Sequence, residues 1–382
     1  MEIVRFGELY DIPSGNGLSR PTAVRGEGYR MIGMGELFAN DIITDMNMDR
    51  VKMSEREKMI FFVEKEDLLF ARQSLVAAGA GKCSIVKHLS EPTTYESHLI
   101  RVRLNKNKCN PWFYYYLFKL QNNPIKAIIN QCAQAGIRGN ELARVKVPLV
   151  DLVFQNKLVS ILTSYDSLIE TNNKRIKALE QMAENLYKEW FVRFRFPGYE
   201  AAEFENGLPK GWRIERLGNV AVVSTGKSNR QDATNDGEYP FFDRSQEIKR
   251  SNIWIKDCEG IIVPGEGTAF IPRYYCGKFD LHQRCYCVEP KRTGIGKFIL
   301  YMMKVNRHYF LSVATGATVP SLRLNNFVSM KFIMPSLNHC QSFDRIVSLQ
   351  FNKIEILKRQ NENLIKQRDL LLPRLMSGKL EV

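Results

Sequence analysis

The sequence is short of the residues that usually announce chemistry. Its five histidines (His88, His98, His282, His308 and His339) are scattered. No two stand at metal-ligand spacing, and none forms a nucleophile–base set. Eight cysteines are present, but none is paired as C-x-x-C. Cys258, Cys276, Cys285 and Cys287 surround His282 at spacings foreign to a zinc site. Cys285 and Cys287 are expected to share one face of a strand as small apolar residues. No carboxylate cluster with a nearby lysine suggests a nuclease centre. No run of eighteen apolar residues appears, which excludes a membrane-spanning helix. Met1–Arg5 lacks the basic-then-apolar layout of a signal peptide, so a cytoplasmic protein without disulfides is expected. Negative charge is in the minority: 41 acidic residues against 55 basic ones give +14. That excess favours a polyanionic partner, although charge alone leaves a basic protein with no such partner equally open.

Three apparent motifs are incomplete. Ala78–Cys83 imitates a phosphate loop, but Val76 stands where the first glycine belongs and Cys83 where Ser or Thr belongs. Gly226-Lys227-Ser228 has the right ending, with Ala221 at the required glycine. Both read as turns. Asn110-Pro111-Trp112-Phe113 resembles the Asn-Pro-Pro-aromatic motif of adenine methyltransferases without its second proline. No glycine-rich strand–turn–helix fingerprint for a cofactor accompanies it.

Two long stretches, 149–196 and 336–372, lack both glycine and proline. Each predicts one long helix. Leu158, Ile161, Tyr165 and Leu168, then Leu179, Met182 and Leu186, mark a heptad-like seam on the first. Phe343, Ile346, Leu357, Leu364 and Leu371 mark one on the second. About 40 helical residues reach roughly 60 Å. The first helix is expected to end at Phe196-Pro197-Gly198. The second is expected to end near Pro373, with 377–379 as a frayed tail.

The stretches before the two helices also resemble each other. Arg5, Gly7 and Gly15 align with Arg216, Gly218 and Gly226, an offset of 211. Ile137, Arg138, Asn140 and Leu142 align with Leu322, Arg323, Asn325 and Phe327, an offset of 185. The second offset also relates Leu158 to Phe343 and Leu186 to Leu371. The first half therefore carries about 26 extra residues, between Gly15 and Lys108. Strands are predicted at 59–63, 99–104, 260–263 and 285–288. Helices are predicted at 111–118 and 296–303, their aromatic and methionine clusters serving as core. The expected fold class is α+β: two mixed α/β domains separated by two long coiled-coil helices, which, if antiparallel, relate the halves by a pseudo-twofold repeat. The boundaries are 1–150 for the first domain, 151–196 for its helix, 197–211 for a linker, 212–335 for the second domain, and 336–382 for the last helix and tail. Two dissimilar heads on a rigid spacer suit an asymmetric, bipartite duplex DNA site. A coiled-coil scaffold spacing two protein-binding domains is the alternative.

Three further stretches carry a family resemblance. Residues 189–198, Glu189-Trp190-Phe191-Val192-Arg193-Phe194-Arg195-Phe196-Pro197-Gly198, resemble the end of the central conserved helix of Type I restriction-modification specificity subunits. Leu208-Pro209-Lys210-Gly211-Trp212 with Leu217-Gly218 resembles the start of their second target recognition domain. Residues 371–380 resemble their C-terminal helix end. The first domain departs from the family by lacking the Leu-Pro-x-Gly-Trp lead-in. The resemblance implies a non-catalytic subunit that binds double-stranded DNA and two modification (methyltransferase) subunits, with restriction (translocase/nuclease) subunits added. It implies no cofactor in this chain; S-adenosylmethionine, ATP and Mg would belong to the partner subunits. Flipping a base out of the stack is work for a catalytic partner. Gripping phosphates and reading base edges is work for Arg, Lys, Asn and Gln. On position in the chain, the candidate contacts are Ser14, Asn16 and Arg20 in one half and Lys227, Asn229 and Arg230 in the other. Arg138 with Asn140, and Thr318 with Arg323 and Asn325, come next. Arg72, Arg244, and Arg273 with Tyr274 complete the set.

Overall fold

A computed structural model describes residues 2–74, 79–131 and 135–376. The 377–379 tail, and Val76 and Ala78 of the phosphate-loop imitation, lie outside the described residues. The chain forms two compact units, Met1–Glu170 with Asn361–Val382, and Thr171–Gln360.

In unit 1, strand Glu2–Arg5 pairs antiparallel with Lys146–Leu149, Arg5 opposite Lys146. A five-stranded sheet runs in the order Tyr10–Asn16, Leu99–Leu104, Leu68–Ala71, Cys83–Val86, Ile42–Ile43. A three-stranded sheet orders Asp49–Val51, Tyr29–Ile32 and Thr93–Tyr95. Helix Pro111–Lys119 covers the larger sheet. Its start explains the methyltransferase-like tetrapeptide. Asn110 Oδ1 accepts the Trp112 N–H at 2.9 Å, and Pro111 occupies the first turn, where no N–H is needed. The helix buries Phe113, Tyr114, Tyr115, Tyr116, Leu117 and Phe118, as its composition predicts.

In unit 2, strand Arg213–Arg216 pairs with Lys331–Met334, Arg216 opposite Lys331. These partners are the residues that the two sequence offsets equate with Arg5 and Lys146. A six-stranded sheet follows the order Ala221–Thr225, Cys285–Pro290, Lys256–Pro264, Arg273–Leu281, Tyr239–Phe242, Ile248–Ser251. Helix Gly296–Val305 is buried from Gly296 to Met303. Cys285 and Cys287 point together into a core with Phe242, Ile262, Phe279 and Leu281. Strand Tyr239–Phe242 runs parallel to one neighbour and antiparallel to the other, as Tyr29–Ile32 does in unit 1. Unit 1 has longer connections at both ends of its counterpart of Ile248–Ser251. They hold helices Met34–Ala39 and Glu55–Phe61. The surplus thus falls between Gly15 and Lys108.

Residues 59–61 close the second of these helices, so the strand predicted at 59–63 is corrected. Ser54 caps the helix: Glu57 N–H donates to Ser54 Oγ at 3.3 Å, and Ser54 N–H donates to Glu57 Oε2 at 2.8 Å. This reciprocal cap outweighs the β-propensity of Ile60 and Phe61.

The first long helix is Leu152–Tyr187, followed by a π-helical turn, Lys188–Val192. Asp151 Oδ2 accepts the Val153 N–H at 2.9 Å and starts it. Phe194, at φ 58°, ends it before Phe196, two residues ahead of the position expected. The second long helix, Leu337–Met376, continues through Pro373 rather than stopping there. Within unit 1, Asp166 of the first meets Arg368 of the second at 2.5 Å, while the earlier Leu158 and Leu162 share a core with the later Leu372, Leu375 and Met376. Within unit 2, Tyr187 and Trp190 pack on Phe343, near the start of the second helix. In both units the helices run antiparallel.

The seam differs in part from the sequence reading. Its inward positions are 155, 158, 162, 165, 169, 172, 176, 179, 183, 186 and 190, strict three–four steps at which no residue is fully exposed. Ile161, Leu168 and Met182 face outward, as does Ile346 on the second helix. Buried Gln155 and Asn172, and the small Ala183, occupy seam positions instead. Hydrophobicity alone steps off the true heptad onto an apolar neighbour at these places. Adding 185 to each position gives the seam of the second helix, from Cys340 and Phe343 to Leu375.

Candidate nucleic-acid interface

One backbone arrangement recurs at the end of the main sheet in each unit. In unit 1, Arg72 N–H donates to His98 O at 2.8 Å, and Ile137 N–H donates to Arg72 O at 2.9 Å. In unit 2, Gly265 N–H donates to Arg284 O at 2.8 Å, and Leu322 N–H donates to Gly265 O at 2.8 Å. A strand end, a hairpin turn and the lead-in to a short helix are thus fastened in the same way. Arg138 and Arg323, next in sequence after Ile137 and Leu322, stand at the same exposed corner of their units. Each precedes a short helix whose third residue caps back: Arg138 N–H donates to Glu141 Oε2, and Arg323 N–H donates to Asn326 Oδ1.

The first-strand loops reach this same end. In unit 1, Asn16 pairs with Ile100, and a Cβ placed on Gly139 would lie 3.2 Å from Ser14 Oγ. Ser14, Asn16, Arg72, Arg138 and Asn140 therefore belong to one surface. In unit 2, Gly226 passes so close to the 281–282 backbone that an added Cβ would sit 1.9 Å from Leu281 O. Only glycine fits this approach, which gives Gly226-Lys227-Ser228 its role as a turn. Gln283 Nε2 then donates to Asn229 Oδ1 at 2.6 Å. Exposed Thr318 lies on the turn closed by the Thr315–Ser321 pair of backbone hydrogen bonds, 2.8 and 3.0 Å, and Gly267 N–H donates to Pro320 O at 3.0 Å. Lys227, Asn229, Arg230, Thr318, Arg323 and Asn325 are all exposed on this end of unit 2. Among the described residues, the side chains of Arg72, Arg138, Lys227, Arg230 and Arg323 make no hydrogen bond or ion pair.

Other candidates are occupied inside the protein. Arg20 donates to Glu57 at 2.6 Å, tying its loop to the capped helix. Arg273 donates to Asp243 O at 2.7 Å and Ser245 O at 2.9 Å, and its guanidinium lies over the Phe242 ring at 5.1 Å. Burial lowers its pKa from the usual arginine value. Tyr274 donates to Glu259 Oε1 at 2.9 Å and packs edge-on against Phe351. These arginine and tyrosine side chains build the loop and the sheet–helix junction.

Sequence position passed over Glu266 and Arg284, which the structure brings to this end beside the candidate Arg244. Arg244 donates to Glu266 Oε2 at 2.7 Å, and Arg284 donates to Glu266 Oε1. Burial would raise the Glu266 pKa, but the two arginines hold it below the usual carboxylate range. His282 is 5% exposed, and its Nδ1 accepts the Arg284 N–H at 3.0 Å. Burial first, and Arg244 next, push its pKa down. A neutral ring accepting at Nδ1 carries its proton on Nε2. Ser228 Oγ donates to buried Asp280 at 2.6 Å. Among the described residues, no three His, Cys, Asp or Glu side chains converge as a metal site.

The comparisons with known proteins bear on this geometry. The family model described as Type I restriction modification DNA specificity domain matches residues 1–181 and 209–367, most of both units. The chain belongs to this family. Among relatives, the Type I restriction enzyme MjaIX specificity subunit of Methanocaldococcus jannaschii is 26% identical over 309 residues, covering 71% of this chain and 69% of its own. The EcoDI specificity subunit of Escherichia coli is 28% identical over 177 residues, 45% of this chain and 39% of that one. The crystal structure of a Type I restriction-modification S subunit from M. genitalium superposes with a TM-score of 0.58 at 15% identity, covering 98% and 95% of the two chains. This specificity-domain protein shares that fold. Within the 189–198 stretch behind the sequence resemblance, Trp190, Phe191 and Phe196 are buried: Trp212 packs against Phe191 at 5.9 Å and against Phe196 at 5.1 Å, and His339 lies 4.4 Å from Phe196.

Proposed function

We propose that this protein recognises an asymmetric, two-part DNA sequence, unit 1 reading one part and unit 2 the other. The observation carrying the reading is the repeated backbone frame, which holds different side chains. Arg72 and His98 of unit 1 stand where unit 2 has Gly265 and Arg284. A shared frame with unlike side chains suits one docking geometry and two different base sequences. Free Arg138 and Arg323, at matching corners, suit phosphates, which every sequence presents. Ser14, Asn16, Arg72 and Asn140 are proposed for the first half-site. Lys227, Asn229, Arg230, Thr318 and Asn325 are proposed for the second, with Arg244 alongside. Arg20, Arg273 and Tyr274 are left out because their polar groups are engaged within the fold.

The two long helices are proposed to set the gap between half-sites and to dock two modification subunits. Those subunits would bring S-adenosylmethionine and methylate a base in each half. Restriction subunits would add ATP- and Mg-dependent translocation and cleavage. The chain itself would be the non-catalytic recognition component, working in the cytoplasm. The test is methylome sequencing of strains with and without the gene, and with residues 1–150 exchanged for those of a relative. A split methylated motif should vanish with the gene, and the exchange should alter one half of it alone. An unchanged motif in either strain refutes the proposal.

A further inference from the structure

A carboxylate at the centre of a surface meant for a polyanion needs a reason. Glu266 stands at the 265–267 bend, with its side chain 13% exposed. Its backbone is bridged to Ser321, and its two oxygens take one arginine each, Arg244 and Arg284. The arginine side chains are 46% and 57% exposed, so each keeps N–H edges toward solvent. Arg284 is further fixed at its base. Its N–H donates to His282 Nδ1, and its carbonyl accepts the Gly265 N–H of the recurring frame. Gly265 has no room for a side chain, because an added Cβ would lie 2.8 Å from Arg284 O. The turn therefore fixes the backbone that carries Arg284, and Glu266 holds one edge of its guanidinium. A phosphate contact gains little from such fixing, because a flexible cation serves as well. Reading guanine does require it, since O6 and N7 accept two parallel N–H bonds in one plane.

We infer that Arg284 is a guanine-reading residue of unit 2, and that Glu266 is its positioning residue, with Arg244 completing the clamp. This rests on the DNA-reading function proposed above. A carboxylate here weakens attraction to any DNA while sharpening the choice of base, because it lends orientation rather than charge.

The full-length chain, co-purified with its modification subunits, would be used to select from a randomised double-stranded DNA library. Wild type should enrich a two-part motif; failure to enrich one overturns the proposed function, and this inference with it. Given a motif, Arg284→Ala and Arg284→Lys should each lose preference for one guanine in one half, by about 10- to 100-fold, with the other half intact. Glu266→Gln should relax that same position while raising affinity for non-specific DNA. A merely structural glutamate would lower both. If Arg284→Lys retains the motif, or if Arg284→Ala weakens all sequences evenly, Arg284 is a phosphate contact and the inference is wrong. The intact half-site serves as the internal control for folding.

Discussion

Gly226 shows how a single residue can fix a recognition loop. Its missing side chain lets the first-strand loop lie against the 281–282 backbone, and Leu281 O would be 1.9 Å from any Cβ. Gly226→Ala should cost about 2–3 kcal/mol in chemical denaturation of unit 2, and should impair the second half-site with the first unaffected. Asp243 acts similarly on the loop bearing Arg244. Burial alone would raise its pKa, but Lys249 and Ser245 outweigh that and hold the carboxyl at about 2, from an ordinary 3.8. A carboxylate depressed in the folded state stabilises above its unfolded pKa, and that stabilisation is lost as pH falls toward 2. Asp243→Asn should therefore flatten the acid-unfolding curve between about pH 4 and pH 2, as followed by circular dichroism. The candidate site was only partly legible at this scale. Arg138 and Arg323 could be found because the 185-residue offset aligns them. Glu266, Gln283 and Arg284 could not, because an acidic residue on a DNA surface gains meaning only once its two arginine partners are seen.

At the scale of elements, the two units solve one packing problem with different chemistry. In unit 1, Tyr116 donates to Asp166 Oδ2 at 2.5 Å, and Arg368 donates to Asp166 Oδ1. The offset of 185 maps these onto Tyr301, Phe351 and Ala183, an apolar set in unit 2 where the rings of Tyr301 and Phe351 meet at 6.4 Å. Arg368→Ala alone should destabilise unit 1 by about 3 kcal/mol, because it leaves the largely desolvated Asp166 without its cation and with the Tyr116 hydroxyl as its remaining partner in this cluster. The double substitution Asp166→Phe with Arg368→Ala copies unit 2 and should restore most of that loss in thermal unfolding. Phe343 in unit 2 is ringed by Tyr187, Trp190, Phe191 and Tyr301 at 5.2–6.2 Å. Phe343→Ala should cost about 3–5 kcal/mol. Elements were legible where pattern and burial agree, as in the helices beginning at Pro111 and Gly296. They were misread where a local cap decided the outcome, as at Ser54, or where the seam passes through Asn172 and Ala183.

For the whole molecule, the proposed DNA reading together with the excess of basic over acidic residues, +14 in total, predicts a binding equilibrium dominated by released counterions. If six or more phosphates are neutralised, affinity should fall roughly a thousandfold between 50 and 200 mM salt; a flat profile by fluorescence anisotropy would exclude that mode. The repeat was the most legible feature at this scale. Strand pairing at Arg5–Lys146 and Arg216–Lys331 fixes the same partners in both units, so insertions could accumulate between them without erasing the alignment.

Unit 1 closes with residues 361–376, taken from the end of the second long helix. Unit 2 needs nothing beyond Gln360. As the nascent chain leaves the ribosome, the part made first is therefore the last to be finished. It waits with Leu158 and Leu162 uncovered until Leu372, Leu375 and Met376 emerge. A premature stop a few codons upstream of these three residues would spare the later unit and leave the earlier one for proteases.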